Sequence, residues 1–150
     1  MQVYTRILVA IDCSPVDEAI VSHVSVLAQQ NKAEVVLLHV IHAHTLDQDR
    51  ALRTKARKTL AGYKERLQGE SVKTTVLLRN GEPDREILKE LEDPRYDLMA
   101  MATHGHTFIG DLLFGSVSRT LKHRINIPLL LLKPDRKQLP ANETQDLRDA

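Results

Sequence analysis

The chain has little of what several classes of protein need. Its 150 residues include a single cysteine, Cys13, so no disulfide can form within the chain, and a reducing compartment is expected. Tryptophan is missing and aromatic residues make up 3% of the sequence, which disfavours a base-stacking platform. The net charge is only +1, whereas a nucleic-acid-binding surface is normally markedly basic. The composition therefore predicts that nucleic acid is not a partner.

Long apolar runs are missing as well. The longest runs fall far short of the ~20 residues that a membrane-spanning helix needs. The first run, RILVAID at residues 6–12, ends in an acid and is followed by no cleavage pattern of a secretory signal. The sequence thus predicts no membrane span and a cytoplasmic location. With 42% hydrophobic residues, the chain is long enough to bury the core of one ordinary domain.

Short apolar runs alternate with amphipathic segments along the chain. The first helix is predicted to follow an N-cap at Ser14, with Pro15 at its first position, and the last to begin at about Ser116. Alternation of strands and helices predicts an α/β fold with one open five-stranded parallel sheet and helices on both faces. The polar segment 135–150 lacks periodicity and is predicted to be a mobile C-terminal tail. The predicted strands are residues 6–12, 34–41, 72–78, 97–102 and 127–133.

Three segments stand where such a sheet binds ligands, beyond the carboxyl ends of its strands. They are residues 12–14, 39–42 and 102–116. In the third, Gly115-Ser116 offers backbone N–H groups, a hydroxyl and the positive end of a helix dipole to a phosphate. The same pair is also common as a plain helix cap, so both interpretations stay open on spacing alone. Neither a Walker A loop nor a GxGxxG motif is present.

Histidine and cysteine raise two further hypotheses. Imidazoles suit transition metals, but neighbouring residues of a strand point to opposite faces and no cysteine or carboxylate completes a zinc-like spacing, so no metal site is predicted. Cys13 is either a thiol of lowered pKa at a helix start or, the favoured interpretation, a small half-buried turn residue. The histidines concerned are His39, His42, His44, His104 and His106.

Enzymatic chemistry has thin support. The sequence around Ser116 is FGSVS, which is not a nucleophile elbow, and no paired carboxylates mark an acid–base site. No catalytic residue is predicted, and any hydrolysis of ATP is expected to be slow and incidental.

Several segments and one spacing carry a family resemblance. The segments are RILVAIDCS, EVVLLHVI, NGEPDREIL, DLMAMATHG and FGSVSRTLKHRINIPLLLLK. Through them the chain resembles the ATP-binding branch of the universal stress protein (UspA-like) family over residues 3–134. ATP-binding members carry Gly-x-x-Gly, nine residues, then Gly-Ser or Gly-Thr, and Gly105 with Gly115-Ser116 matches this spacing. Ala102 stands where the first glycine would be, and His106 stands where many relatives have Lys or Arg.

The resemblance implies a fold and a ligand. The family's strand order is 3-2-1-4-5, which places the first and fourth strands side by side. The implied ligand is ATP, or ADP or AMP, together with Mg²⁺. By position, Asp12 and Ala10 lie at the adenosine, the backbone of Val40 contacts the adenine edge, and Met101 and Ala102 line the nucleotide. The residues implied to hold the phosphates are Gly105, Gly115, Ser116 and Val117.

The resemblance also implies a homodimer, built by pairing the last strand, Ile127 to Lys133, across a two-fold axis. The leading hypothesis is a stress-response regulator or sensor that signals through its bound nucleotide. The alternative is a nucleotide-free homodimeric interaction module of the stress response, favoured by Ala102 and His106. A third and weaker hypothesis is a slow ATPase or phosphotransfer enzyme that depends on Ser116.

Overall fold

Residues 2–103 and 113–134 are described by the computed structural model, with the side chains of 113–115 left out. The predicted tail, 135–150, lies outside the described residues. Within them, strands and helices alternate as the sequence predicts. The elements are β1 (Arg6–Ala10), α1 (Asp17–Asn31), β2 (Glu34–Ile41), α2 (Leu46–Gly69), β3 (Thr74–Asn80), α3 (Pro83–Glu90), β4 (Leu98–Ala102), α4 (Leu113–Arg124) and β5 (Leu129–Leu132).

The five strands form one parallel sheet in the order β3-β2-β1-β4-β5. This arrangement confirms both the predicted open parallel sheet and the order implied by the resemblance. Strand β1 lies at the centre, where Ala10 stands opposite Leu38 of β2 and Met101 of β4. The carboxyl ends of β1 and β4 are therefore neighbours, although they lie far apart in the sequence.

Successive residues of each strand face opposite sides of the sheet, and each side has its own apolar core. On one side, Ile7 and Val9 pack with residues of α1 and α2, such as Ile20 and Leu60. On the other side, residues such as Leu8 and Ala10 pack with Ile87 of α3 and with Val117 and Leu121 of α4. Strands buried on both faces explain the nearly continuous apolar runs from which they were predicted.

The predicted start of α1 is wrong. The helix begins at Asp17, and Val16 occupies the N-cap without a side-chain hydrogen bond. Instead of capping a helix, Ser14 opens a turn in which its carbonyl accepts the Asp17 N–H at 3.1 Å. Cys13 has a left-handed φ of 60°, which no α-helical N-terminus uses. Pro15 therefore belongs to this turn rather than to the helix.

Helix α4 also begins earlier than predicted, at Leu113 rather than at about Ser116. Gly115 and Ser116 consequently lie in its first turn, after the two helical residues Leu113 and Phe114. No helix among the described residues is long and apolar enough to cross a membrane.

Candidate functional site

A cleft of about 360 Å³ opens at the carboxyl ends of β1 and β2, between α2 and α3. Three of the predicted site residues line it together, namely Ala10, Asp12 and Val40. Leu38 and Ile87 contribute apolar wall to the same cleft. An apolar slot with a few polar groups around it suits a flat heteroaromatic ring with hydrogen-bonding edges.

The backbone of Val40 has a free side towards the cleft. The last residue of β1, Ala10, lies opposite Leu38 of β2. The last hydrogen bond from β2 to this part of the chain runs from the Ile11 N–H to the Leu38 carbonyl at 2.8 Å. Because residues two apart in a strand present their N–H and C=O to the same side, those of Val40 face the β1 side as well. The β3 side is used by Ile41, whose carbonyl accepts the Gly81 N–H at 3.0 Å. Val40 therefore presents a donor and an acceptor where β1 has already turned away.

The β4 side of the site is formed by buried residues. Met101, fully buried, stands opposite Ala10 in the sheet, and both belong to the same apolar cluster as Val117 of α4. Gly115 and Ser116 lie in the first turn of α4, at the positive end of its dipole. Ser116 is exposed, and the residue takes part in a polar or electrostatic contact. Gly105, predicted to hold phosphate, lies outside the described residues.

Ala102 lies on the other side of the sheet from Met101 and Val117. It is the last residue of β4 and is fully buried, but it belongs to the core cluster on the α1 and α2 side, with Ile11 and Val16. It is not among the described non-glycine residues with positive φ, so the backbone there needs no glycine. The methyl group that alanine has and glycine lacks is thus buried in the apolar layer opposite α4.

Two residues that sequence reasoning missed fix the loop between β1 and α1. The carboxylate of Asp17, which is fully buried, accepts the Asp12 N–H at 2.9 Å and the Ser14 N–H at 3.2 Å. Burial raises the pKa of Asp17 to about 7, although its hydrogen bonds from the loop act in the opposite direction. From the sequence alone, Asp17 is an acid near the start of the predicted first helix, and an acid at that place does not reveal the contact with the loop.

His39 is the second residue: it lies in the segment 39–42 predicted to stand near a ligand and was weighed as a metal ligand, but its contact with the loop was not predicted. It lines the cleft, and its Nδ1 lies 2.6 Å from the Ile11 carbonyl oxygen. A carbonyl can only accept, so Nδ1 carries the proton. Burial lowers the pKa of His39, so the ring is neutral near pH 7 and its Nε2 is an acceptor.

Cys13 sits in the same loop, and the hypothesis of a lowered thiol pKa is wrong. Burial, followed by the charges of Asp17 and Asp12, raises the pKa of Cys13 to about 12. The helix that was expected to lower this pKa begins four positions later, at Asp17. The favoured interpretation, a half-buried residue in a turn, is confirmed.

The histidines do not converge on a metal-binding arrangement in the part of the chain that the structure describes. Among those residues, no group of three or more His, Cys, Asp or Glu side chains could hold a metal ion. His42 and His44 stack edge to face with their ring centroids 5.0 Å apart. His104 and His106 lie outside the described residues.

Comparisons of the whole chain with known proteins point to one family. A model of the universal stress protein family matches residues 3–133. The chain is 27% identical to universal stress protein MJ0577 of Methanocaldococcus jannaschii, over 87% of this chain and 95% of that protein. It is 24% identical to universal stress protein YxiE of Bacillus subtilis, over 87% of this chain and 99% of that protein.

Solved structures show the same architecture. The structure of MJ0577 superposes with a TM-score of 0.75 at 28% identity, covering 88% of this chain and 97% of that one. A universal stress protein from Archaeoglobus fulgidus in complex with dAMP gives 0.68 at 21% identity, covering 88% and 100%. A family member from Arabidopsis thaliana with AMP bound gives 0.69 at 18% identity, covering 92% and 97%.

Proposed function

Because the chain belongs to the universal stress protein family, we propose that it binds an adenine nucleotide at the carboxyl ends of β1, β2 and β4. The observation that carries this proposal is the extension of β2 beyond the end of β1. Val40 there offers an N–H and a C=O, side by side and beyond the last β1 partner, at the wall of an apolar cleft. Adenine presents an acceptor nitrogen beside its amino group, and a backbone donor and acceptor pair complements that edge.

The adenosine end of the proposed site is formed by β1 and β4. The carboxylate of Asp12, at the mouth of the cleft, suits ribose hydroxyl groups because it is a strong acceptor. Ala10 and Met101, opposite one another in the sheet, form an apolar base beneath the sugar and the ring. Small and flexible side chains at this level leave room for a bulky ligand.

The phosphate end is assigned to the first turn of α4. Gly115, Ser116 and Val117 are assigned to the phosphates: the N–H of Gly115 lies within the first turn, Ser116 brings a hydroxyl, and the positive end of the helix dipole favours an anion beside all three. Arg119 and Lys122 of the same helix add positive charge. Mg²⁺ bound with the phosphates would offset the missing cation at position 106, where the chain has His106. The preferred ligand is ATP, with ADP and AMP as alternatives.

Family members with AMP and with dAMP support an adenine ligand, since they share this fold. In the proposal, the protein acts in the cytoplasm as a stress-response regulator or sensor whose partners read its nucleotide state. It functions as a homodimer paired through the last strand, Ile127 to Lys133.

The rival function is a nucleotide-free homodimeric interaction module. Ala102 was one of two residues in its favour, and the burial of its methyl group in the layer opposite α4 weakens that argument. His106, the other, lies outside the described residues.

The deciding experiment is to denature protein purified from cells and to identify any released nucleotide by mass spectrometry. ATP, ADP or AMP in near-stoichiometric amount is the expected result. If the protein is isolated empty, Mg-ATP at about 100 times its Kd should stabilise the fold by about 2.7 kcal/mol, which is read from the melting temperature. No released nucleotide and no shift at millimolar Mg-ATP would leave the interaction module as the function.

A matched pair of variants tests the location of the phosphates. Gly115→Val places a branched side chain in the first turn of α4, and we expect it to abolish the shift in melting temperature. Gly62→Val is the control, since a Cβ at Gly62 in the middle of α2 would meet nothing within 4 Å. An unchanged shift in the Gly115→Val protein would mean that the phosphates bind elsewhere.

A further inference from the structure

We propose that Asp17 and His39 are positioning residues, which together hold the peptide plane between Ile11 and Asp12 and thereby set the Asp12 carboxylate for binding. The inference rests on the proposed function, because Asp12 matters only if a nucleoside contacts it. It goes further, because it makes that contact depend on the ionisation of Asp17, whose side chain is fully buried.

The geometry consists of two hydrogen bonds to one peptide unit. The carbonyl oxygen of Ile11 accepts from His39 Nδ1 at 2.6 Å, while the N–H of Asp12 donates to Asp17 Oδ1 at 2.9 Å. These two backbone groups belong to the same peptide bond and point in opposite directions. Rotation of this plane would break both bonds at once, so its orientation is fixed from β2 on one side and from α1 on the other.

The second carboxylate oxygen of Asp17 fixes the backbone at the other end of the turn. Asp17 Oδ2 accepts the Ser14 N–H at 3.2 Å, on the far side of Cys13 and its left-handed φ of 60°. A non-glycine residue adopts that conformation only where its surroundings impose it. The buried carboxylate of Asp17 imposes this conformation on Cys13, because it accepts hydrogen bonds from the residues before and after it. The same contacts fix the backbone of Asp12 and so set the direction of its side chain.

Ionisation of Asp17 decides how well this arrangement holds. As a carboxylate it offers acceptors to both N–H groups, whereas the protonated form turns one oxygen into a donor. The groups that act on Asp17 are Asp12 and Cys13 of its own loop and Tyr63 of α2, whose pKa is raised by burial and then by Asp17. Since the pKa of Asp17 is about 7, acidification below neutral pH should weaken the hold on Asp12.

The test is a titration of the wild-type protein with adenosine between pH 8.5 and 5.5. Adenosine is chosen because it lacks a phosphate monoester, which itself titrates near pH 6. If only the ionised form of Asp17 binds well, the apparent Kd should rise by about 10- to 30-fold over this interval, following the fraction of carboxylate. An unchanged Kd, with adenosine bound at both ends of the range, would overturn the inference and leave the proposed function intact.

Variants separate Asp17 from other titrating groups. Asp17→Asn keeps one acceptor but faces the second N–H with an amide donor, so we expect about 10-fold weaker binding with no pH dependence. Asp47→Asn, an exposed acid in the first turn of α2, and His42→Gln, in the cleft wall, should both retain the wild-type pH dependence. Retention of that dependence in Asp17→Asn would assign it to another group and overturn the inference.

For His39, the informative comparison is between two replacements. His39→Asn keeps an N–H donor near the place of Nδ1, and adenosine affinity should stay within about threefold of wild type. His39→Ala removes the donor and should weaken binding by about 10-fold. Equal affinities for the two variants would mean that His39 does not position Asp12.

A measurement without nucleotide keeps the two proposals apart. In the unliganded protein, the amide proton shifts of Asp12 and Ser14 should titrate together, with a midpoint near pH 7 set by Asp17. If these amide shifts titrate but adenosine does not bind at any pH, Asp17 does fix the loop and the proposed function is wrong. If they do not titrate, the positioning role of Asp17 fails whatever the protein binds.

Discussion

At position 102 the resemblance sets an alanine against the first glycine of the ATP-binding motif, and the effect of this change depends on where the alanine methyl group points. Ala102 is fully buried on the α1 and α2 side of the sheet, away from α4. Its neighbour Met101 faces the other side, in the cluster with Val117. The methyl group of Ala102 therefore packs in the layer opposite α4, because strand alternation turns it to that side of the sheet.

The burial of the Ala102 methyl group predicts the outcome of Ala102→Gly. The change deletes a buried methyl group and adds backbone freedom in a strand, so the free energy of unfolding should fall by about 1–2 kcal/mol, measured with urea. Adenosine affinity should stay within about twofold of wild type. A tenfold gain in affinity would show that the methyl group obstructs the ligand after all.

Asp17 makes the stability of the protein depend on pH in a defined direction. Its pKa is raised from 3.8 to about 7 in the folded chain, so folding takes up a proton between these values. The stabilisation from this group is complete below about pH 4, declines as the pH rises to about 7, and is then lost. Its size is up to about 4 kcal/mol, because one pKa unit corresponds to 1.36 kcal/mol.

The measurement is the free energy of unfolding of wild type and Asp17→Asn across pH 4 to 8. The advantage of wild type over the variant should shrink as the pH rises. A constant difference would mean that Asp17 keeps an ordinary pKa in the fold. Acidification should thus increase the free energy that Asp17 contributes to folding while it weakens the binding of adenosine. A general loss of structure at low pH would not produce both effects.

At the scale of elements, the helix α2 shows how a local signal sets a boundary. The side chain of Thr45 accepts the Gln48 N–H at 3.1 Å, and the Gln48 side chain accepts the His44 N–H at 2.8 Å. These two bonds satisfy backbone donors at the start of the helix, in the manner of a capping box.

Thr45→Ala should lower the free energy of unfolding by about 1 kcal/mol, measured with urea. Thr54→Ala is the matched control in the same helix, since its hydroxyl only donates to the Arg50 carbonyl at 3.0 Å. That control should change stability little or raise it, because alanine is the better helix former. Equal losses in both variants would argue against a capping role for Thr45.

The existence and order of the elements could be predicted, but some of their starts could not. Apolar runs buried on both faces and clear helical stripes identified every strand and helix among the described residues. Helix α1 was placed too early because Ser14 and Pro15 are good local start signals, whereas the contact that decides the turn comes from Asp17. The role of His39 could not be predicted either, since its partner Ile11 is 28 positions away in the sequence.

At the scale of the whole molecule, β5 is an outer strand of the sheet, and no strand among residues 2–103 and 113–134 pairs with its outer side. The Pro128 carbonyl accepts the Met99 N–H of β4 at 3.0 Å, and the Leu132 carbonyl accepts the N–H of Thr103, the residue after β4, at 2.8 Å. By strand alternation, the backbone groups of Leu129 and Leu131 face away from β4. An apolar strand with a row of such outward groups is the kind of edge that pairs with another chain.

The proposed homodimer should therefore be visible by light scattering at micromolar concentration. Leu131→Pro removes an outward N–H while leaving those that pair with β4, and we expect it to yield a monomer. Leu131→Val keeps the donor and should remain a dimer. A wild-type monomer, or a dimeric Leu131→Pro protein, would contradict pairing through this strand.

The central place of β1 has a consequence for synthesis of the chain. One flank of β1 is covered once β2 has been made, but the other waits for β4, whose Met101 pairs with Ala10. Until about 90 more residues have left the ribosome, Ile7, Leu8 and Val9 offer an apolar, unpaired edge, although each is fully buried in the finished fold. Pairing over such a separation is slow, and partly made chains with open edges aggregate. The nascent chain should consequently depend on chaperones most strongly before β4 emerges, at a stage when the binding site cannot yet exist.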